Sequence, residues 1–236
     1  HVAGDVTGGH VMAGSEIDGI TIDGNLNVPF DVEDPTQSPV FDAGDAVTGA
    51  LRIGSDDPAV AGDATGWLRA GTPEDGTDDF QGGVQVTGQI VDLRLDGDVA
   101  PSSPALIAGN GIVLLTIGGD LTTDTIEPAT DPEEAGTGIV ELIIEGSLVP
   151  ETGNSVEING PVTQMFVGGE WGAGLEILSI DGPSVYLASA EDVSELTAVD
   201  LQEPVEEFSQ TLELDKDNFF PEGDGFNHFL FFRDAA

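Results

Sequence analysis

One short pattern constrains this chain more than any other feature: an aliphatic residue, any residue, a second aliphatic, any residue, glycine, then a polar residue and another aliphatic. It reads ITIDGNL from Ile20, LRLDGDV from Leu93, LTIGGDL from Leu115, LIIEGSL from Leu142, MFVGGEW from Met165 and LSIDGPS from Leu178. LRIGSDD from Leu51 and LRAGTPE from Leu68 keep the aliphatic half and lose the glycine register. Alternation at period two is the signature of a half-buried strand, and a glycine directly after it admits the positive φ that turns a corner. Each unit therefore predicts strand, corner, strand. From Gly97 the glycine returns at Gly119, Gly146, Gly169 and Gly182, at intervals of 22, 27, 23 and 13 residues. Short strands at such a period suit a β-solenoid, in which equivalent strands stack in parallel and their aliphatics form inward ladders. A β-sandwich with glycine-rich turns is the alternative.

On these motifs, Met12 to Leu187 resembles the right-handed parallel β-helix of secreted bacterial surface proteins and polysaccharide-degrading enzymes. The resemblance implies secretion, an extracellular or cell-surface location and an elongated shape. It implies no particular activity, because that architecture carries adhesins, structural fibres and lyases alike. The expectation is thus an all-β, irregular parallel β-helix over residues 1–187, followed by a distinct segment over 188–236. Proline-rich acidic intervals, DVEDPTQSPVFDAGD from Asp31 and EPATDPEEAGTG from Glu127, are expected to be loops protruding from the stack.

After Leu187 the glycine-centred repeat stops. SAEDVSEL offers Ser189 as a helix N-cap before acids, which predicts a short helix or turn. In FNHFLFFRDAA, Phe226, His228, Leu230 and Phe232 alternate with Asn227, Phe229, Phe231 and Arg233, so a strand there is apolar on both faces. Such a strand needs cover on both sides. It either caps the open core of its own chain or adds to a neighbouring subunit.

The chain begins with HVAGDV, in which Val2, Gly4 and Val6 match the register of Ile117, Gly119 and Leu121. It starts inside a motif, leaving an uncovered apolar turn and unpaired backbone. Capping by the carboxyl-terminal segment, head-to-tail stacking of copies into a filament, and processing from a longer chain each account for this. Head-to-tail assembly, through Val2, Val6 and the Phe226–Phe232 segment, is the preferred reading because both ends look unfinished.

Charge narrows the partners. The chain has 45 Asp and Glu against 5 Lys and Arg, a formal net charge of -40, while 39% of its residues are hydrophobic. The aliphatic content argues for folding rather than disorder, with the acids outside. Nucleic acid is excluded as a partner, since binding phosphate backbones requires basic residues. Self-repulsion at this charge calls for salt or bound cations, which points to a halophilic or calcium-rich setting. Cysteine is absent, and no apolar run approaches the ~20 residues of a membrane-spanning helix.

Three chemical constellations follow. Asp215, Asp217, Asn218, Glu222 and Asp224 in DKDNFFPEGDG, and the pairs Asp56–Asp57, Asp78–Asp79 and Glu133–Glu134, present hard oxygen ligands suited to Ca²⁺, although a solvated acidic surface is the better explanation of any single one. His1 and His10 offer nitrogen ligands for copper, against the simpler reading of a terminal histidine left by cleavage. Arg52, Arg69 and Arg94 occupy one position of the repeat and are expected to stack in an outward strip. Beside Ca²⁺-binding acids such a strip would serve a polysaccharide lyase; otherwise it neutralises neighbouring carboxylates. The preferred function is a self-assembling structural protein of an extracellular filament, sheath or surface layer. The alternative is a lyase or an adhesin that binds acidic or neutral polysaccharide.

Overall fold

The structure, a computed structural model, describes residues 1–31, 34, 36–55, 62–71, 80–99, 106–128, 138–152, 155–160, 162–168, 174–178, 183–190, 206–207, 211–214 and 227–234. Among the described residues there is no helix; all regular structure is β. In the larger sheet, β1 (Val11–Ala13), β4 (Phe41–Ala43), β6 (Ala64–Ala70), β8 (Ile90–Asp96), β10 (Ile112–Ile117), β13 (Ile139–Ile144) and β16 (Val162–Val167) lie side by side, all parallel; β3 (Leu26–Asn27) also pairs with β6. In the second sheet, β2 (Ile20–Ile22), β5 (Leu51–Ile53), β7 (Val84–Val86), β9 (Leu106–Ala108), β12 (Thr125–Glu127), β15 (Ser155–Asn159) and β17 (Gly174–Leu178) follow the same rule. A third, narrow column joins β11 (Leu121–Thr122) to β14 (Leu148–Val149) and continues as single bridges through Ile17, Val47, Phe80 and Val99.

From β4 to β17 the chain passes from one large sheet to the other and back, each return laying a new strand parallel to an earlier one. The register explains the glycine spacing. Leu95 lies opposite Ile117, Ile117 opposite Ile144, and Ile144 opposite Val167, so one circuit takes 22, 27 and then 23 residues. The short interval before Gly182 has a different cause: that copy begins at Leu178, the last residue of β17 in the second sheet. What reads as one repeat is therefore two corners. Ile22, Gly24 and Leu26 turn from the second sheet into the larger one, whereas Ile117, Gly119 and Leu121 turn from the larger sheet into the narrow column.

Between the sheets run columns of aliphatic side chains. One comprises Phe41, Leu68, Leu95, Ile117, Ile144 and Val167; another comprises Leu51, Val84, Leu106, Ile126 and Ile158; all are buried. Each such residue contributes about 1.5–3 kcal/mol of apolar burial, which makes these columns the main stabilising feature. A further column, Ile90, Ile112, Ile139 and Val162, stands three residues before Leu93, Leu115, Leu142 and Met165 of the repeat. In β8, β10 and β13 two consecutive residues then point outward, leaving Val91, Val113 and Val140 exposed. The true unit is longer than the sequence motif: IVDLRLDG, IVLLTIGG and IVELIIEG.

Several local expectations are corrected. Val2 and Val6 bridge Ile22 and Leu26, so HVAGDV matches the corner of Gly24 and not that of Gly119. The interval from Asp31 is not all loop, since it contains β4 and buried Val40. Ser189 lies in β18 (Pro183–Ala190), while the rest of SAEDVSEL, 191–196, lies outside the described residues. The last strands reverse direction. β21 (Asn227–Asp234) inserts antiparallel between β16 and β18, β19 (Glu206–Glu207) pairs with β18, and β20 (Thr211–Leu214) pairs antiparallel with β17.

Candidate functional site

The acids have a structural use that composition does not reveal. Asp5, Asn25, Asp63, Asp98 and Asp120 each follow a corner glycine, and each side chain reaches to the next circuit. Asp5 Oδ1 accepts the Asn25 N–H at 2.8 Å, Asn25 Oδ1 accepts that of Asp63 at 2.8 Å, and Asp63 Oδ1 accepts that of Gln89 at 2.8 Å. At the other corner Asp98 Oδ1 accepts the Asp120 N–H at 2.7 Å and Asp120 Oδ1 accepts that of Ser147 at 2.6 Å. Corners interrupt the backbone ladder, and these oxygens satisfy donors that the sheets leave over.

The same ladder corrects the reason for the glycines. Gly4 and Gly97 do adopt left-handed φ, +141° and +143°. Gly24, Gly88, Gly119 and Gly146 do not; a β-carbon there would run into the carboxylates of Asp5, Asp63, Asp98 and Asp120 respectively. Glycine is required because the preceding circuit sets a carboxylate over it. The signal was in the sequence as Asp or Asn directly after the repeat glycine, in DGN, DGD and GGD.

The arginine strip does not form. Arg52 lies on the second sheet beside Thr21 and Gln85, while Arg69 and Arg94 lie on the larger sheet at different heights, opposite Asp96 and Trp67. Arg69 holds Asp42 through Nε at 3.0 Å and Nη2 at 2.6 Å, and these hydrogen bonds raise its pKa further. Arg94 binds Asp96 through Nε at 2.6 Å and reaches past β10 to grip Glu145 with both terminal nitrogens, at 2.9 and 3.2 Å. Burial disfavours its charge, yet the hydrogen bond to Glu145 and the charges of Asp96 and Glu145 outweigh this and raise its pKa. Trp67 donates Nε1–H to the other oxygen of Asp96 at 2.6 Å and packs beside Phe30, ring centroids 6.4 Å apart. Arg94 thus ties β8 to Glu145 at the end of β13, spanning β10 between them. Nearby, burial pushes the Asp92 carboxyl pKa up.

His1 Nε2 lies 2.8 Å from Asp23 Oδ1, and His10 Nδ1 donates to the Pro39 carbonyl at 2.5 Å. The structure gives the two histidines different partners, and no cluster of three or more His, Asp or Glu placed for a metal occurs among the described residues. Asp215, Asp217, Asn218, Glu222 and Asp224 lie outside the described residues, as do Asp56, Asp57, Asp78, Asp79, Glu133, Glu134 and Phe226. His228, Phe229, Leu230, Phe231 and Phe232 all lie in β21; the first four pair with Val167 to Gln164 on one side and Ser189 to Tyr186 on the other, and Phe232 pairs with Val185.

Among the described residues, the inward pattern is uncovered in the amino-terminal circuit. β1 ends the larger sheet and pairs with β4, while Val2, Val6 and Ile17 bridge Ile22, Leu26 and Val47. Val11 is 51% exposed, Met12 72% and Val2 36%. No helix among the described residues is long and apolar enough to cross a membrane. Compared with known proteins, the chain matches no family model, no curated protein and no solved structure.

Proposed function

We propose that this protein is a secreted structural subunit: a parallel β-solenoid that assembles head to tail with copies of itself into an extracellular filament, sheath or surface layer. The observation that carries the reading is the stack itself: among the described residues, one parallel strand after another is laid on the last through the same buried aliphatic columns. A stack of this kind adds further units through the interface it already repeats, and its strand edges are templates for β pairing. The two large sheets are then two faces of one solenoid, and its chemistry lies in stacking. Carboxylates that are not backbone acceptors keep the outer surface hydrated, with salt or Ca²⁺ offsetting their repulsion. The lyase reading has lost the arginine strip that favoured it.

Electron microscopy and light scattering in low salt, in raised NaCl and with added Ca²⁺ test the proposal. Fibres or sheets that grow as repulsion is screened are expected. A chain that stays monomeric in all three conditions and releases products from acidic glycans would replace this function with a lyase.

A further inference from the structure

Successive corners carry the chain from the second sheet into the larger one. Gly24-Asn25, Gly62-Asp63 and Gly88-Gln89 build three of them, glycine first and polar side chain second. In the next circuit the order is reversed. Asn110 stands where the glycine stood, its N–H donating to the Gly88 carbonyl as Gly88 donates to Gly62; Gly111 takes the second place, its carbonyl accepting the Ile90 N–H as that of Gln89 accepts Ala64. The reversal interrupts the side-chain ladder. The N–H groups of Asn25, Asp63 and Gln89 are each held by a side-chain oxygen of the circuit before. Gly111 is buried, yet its N–H has no hydrogen bond to any described residue, although main-chain donors in folded proteins are almost always paired. Asn110 beside it is exposed, and Gly111, at a φ of +97°, has no side chain to shield that nitrogen.

We infer that Asn110 is a site of spontaneous covalent modification, at which the side-chain amide becomes a carboxylate through attack by the Gly111 nitrogen and then by water. That nitrogen gives its proton to a solvent base and bonds to Cγ of Asn110; the Cγ–Nδ2 bond breaks, and Nδ2 takes up a proton and leaves as ammonia. Water then adds to either carbonyl carbon of the cyclic imide and opens the ring. The product is aspartate or isoaspartate, nothing is oxidised or reduced, and the corner gains a negative charge. The chain contains its own comparison. Its other Asn-Gly pair is Asn159-Gly160, where the Gly160 N–H donates to the Ile158 carbonyl at 3.0 Å and Asn159 pairs with Leu178 of the adjacent strand. There the attacking nitrogen is held; at Asn110 it is free of such a bond.

Peptide mapping by mass spectrometry on the full chain, aged in mildly alkaline buffer, tests this, with fragmentation that tells aspartate from isoaspartate. The folded chain and the urea-unfolded chain are aged side by side, and each site's folded rate is divided by its own unfolded rate, which removes the influence of the following residue. Folding should slow Asn159 at least about tenfold more than Asn110, because Asn159 reacts only after a local opening frees its neighbour's N–H. Asn110→Gln should abolish the faster conversion of the folded chain and leave that of Asn159 unchanged. If folding slows Asn110 as much as Asn159 or more, or if the faster conversion persists in Asn110→Gln, the inference is wrong.

Discussion

Val11 and Ile117 stand in the same column of the larger sheet and follow the same alternation, yet Val11 is 51% exposed and Ile117 is buried. The difference lies in neighbours. Ile117 has Leu95 on one side and Ile144 on the other, whereas β1 pairs with β4 and no other described strand pairs with it. In a stack of this kind a residue's contribution is set by its place along the axis as much as by its type. The motif alone cannot distinguish an end from a middle.

The sharpest way to break that comparison is to shorten both residues. Ile117→Ala should cost about 2–5 kcal/mol, through lost burial and a cavity between two packed circuits. Val11→Ala should cost less than about 0.5 kcal/mol in the dilute chain, because little is buried there. Chemical denaturation of the two variants measures both; equal losses would contradict the account.

Corner glycines give a smaller contrast of the same kind. Gly119→Ala forces a β-carbon against the Asp98 carboxylate and the backbone of Gly97, and should destabilise by about 1–3 kcal/mol. Pairing it with Asp98→Ala separates the causes. The double variant should lose less than the sum of the single ones, since removing the carboxylate removes one of the clashes.

Next is the outward clamp. Arg94→Gln leaves Asp96 and Glu145 without their shared cation and should cost about 1–2 kcal/mol, a figure reduced by partial solvent exposure. Added salt should narrow the gap to wild type. No loss at all would mean the clamp is ornamental.

The smallest effect concerns Asp92. Its carboxyl pKa is raised by burial, so the native state holds this proton more tightly than the unfolded chain does. The penalty is absent below the unfolded pKa and grows as pH rises through the folded one. Asp92→Asn should therefore stabilise the protein by a few tenths of a kcal/mol at neutral pH, and the gain should vanish in acid. A gain that persists or increases in acid would refute this.

The all-β class and the inward aliphatic columns were legible because LTI, LII and their relatives place apolar residues at period two, and the intervals of 22, 27 and 23 residues are those of the observed register. Two corners of similar shape were read as one motif, since Ile22-Asp23-Gly24 and Ile117-Gly118-Gly119 solve the same local problem at different places in the circuit. The arginines looked equivalent for the same reason. Local spacing fixes which residues of a strand point inward, but neither which sheet the strand joins nor its register there. The carboxylate ladder was missed because its bonds connect residues 20 to 38 apart in sequence, as from Asp5 to Asn25 and from Asn25 to Asp63. That HVAGDV repeats a corner was visible in the sequence, although it was matched to Gly119 and not to Gly24, the corner it bridges.

Amide hydrogen exchange resolved along the chain, on the dilute protein, tests most directly whether position in the stack governs stability. Amides of the inner circuits, such as those of Leu95, Ile117 and Ile144, should exchange only at the free energy of global unfolding. Those of Val2, Val6, Val11 and Ile17, which bond to a single adjacent circuit, should exchange through a cheaper local opening. Equal protection of the first circuit and the inner ones would contradict the account.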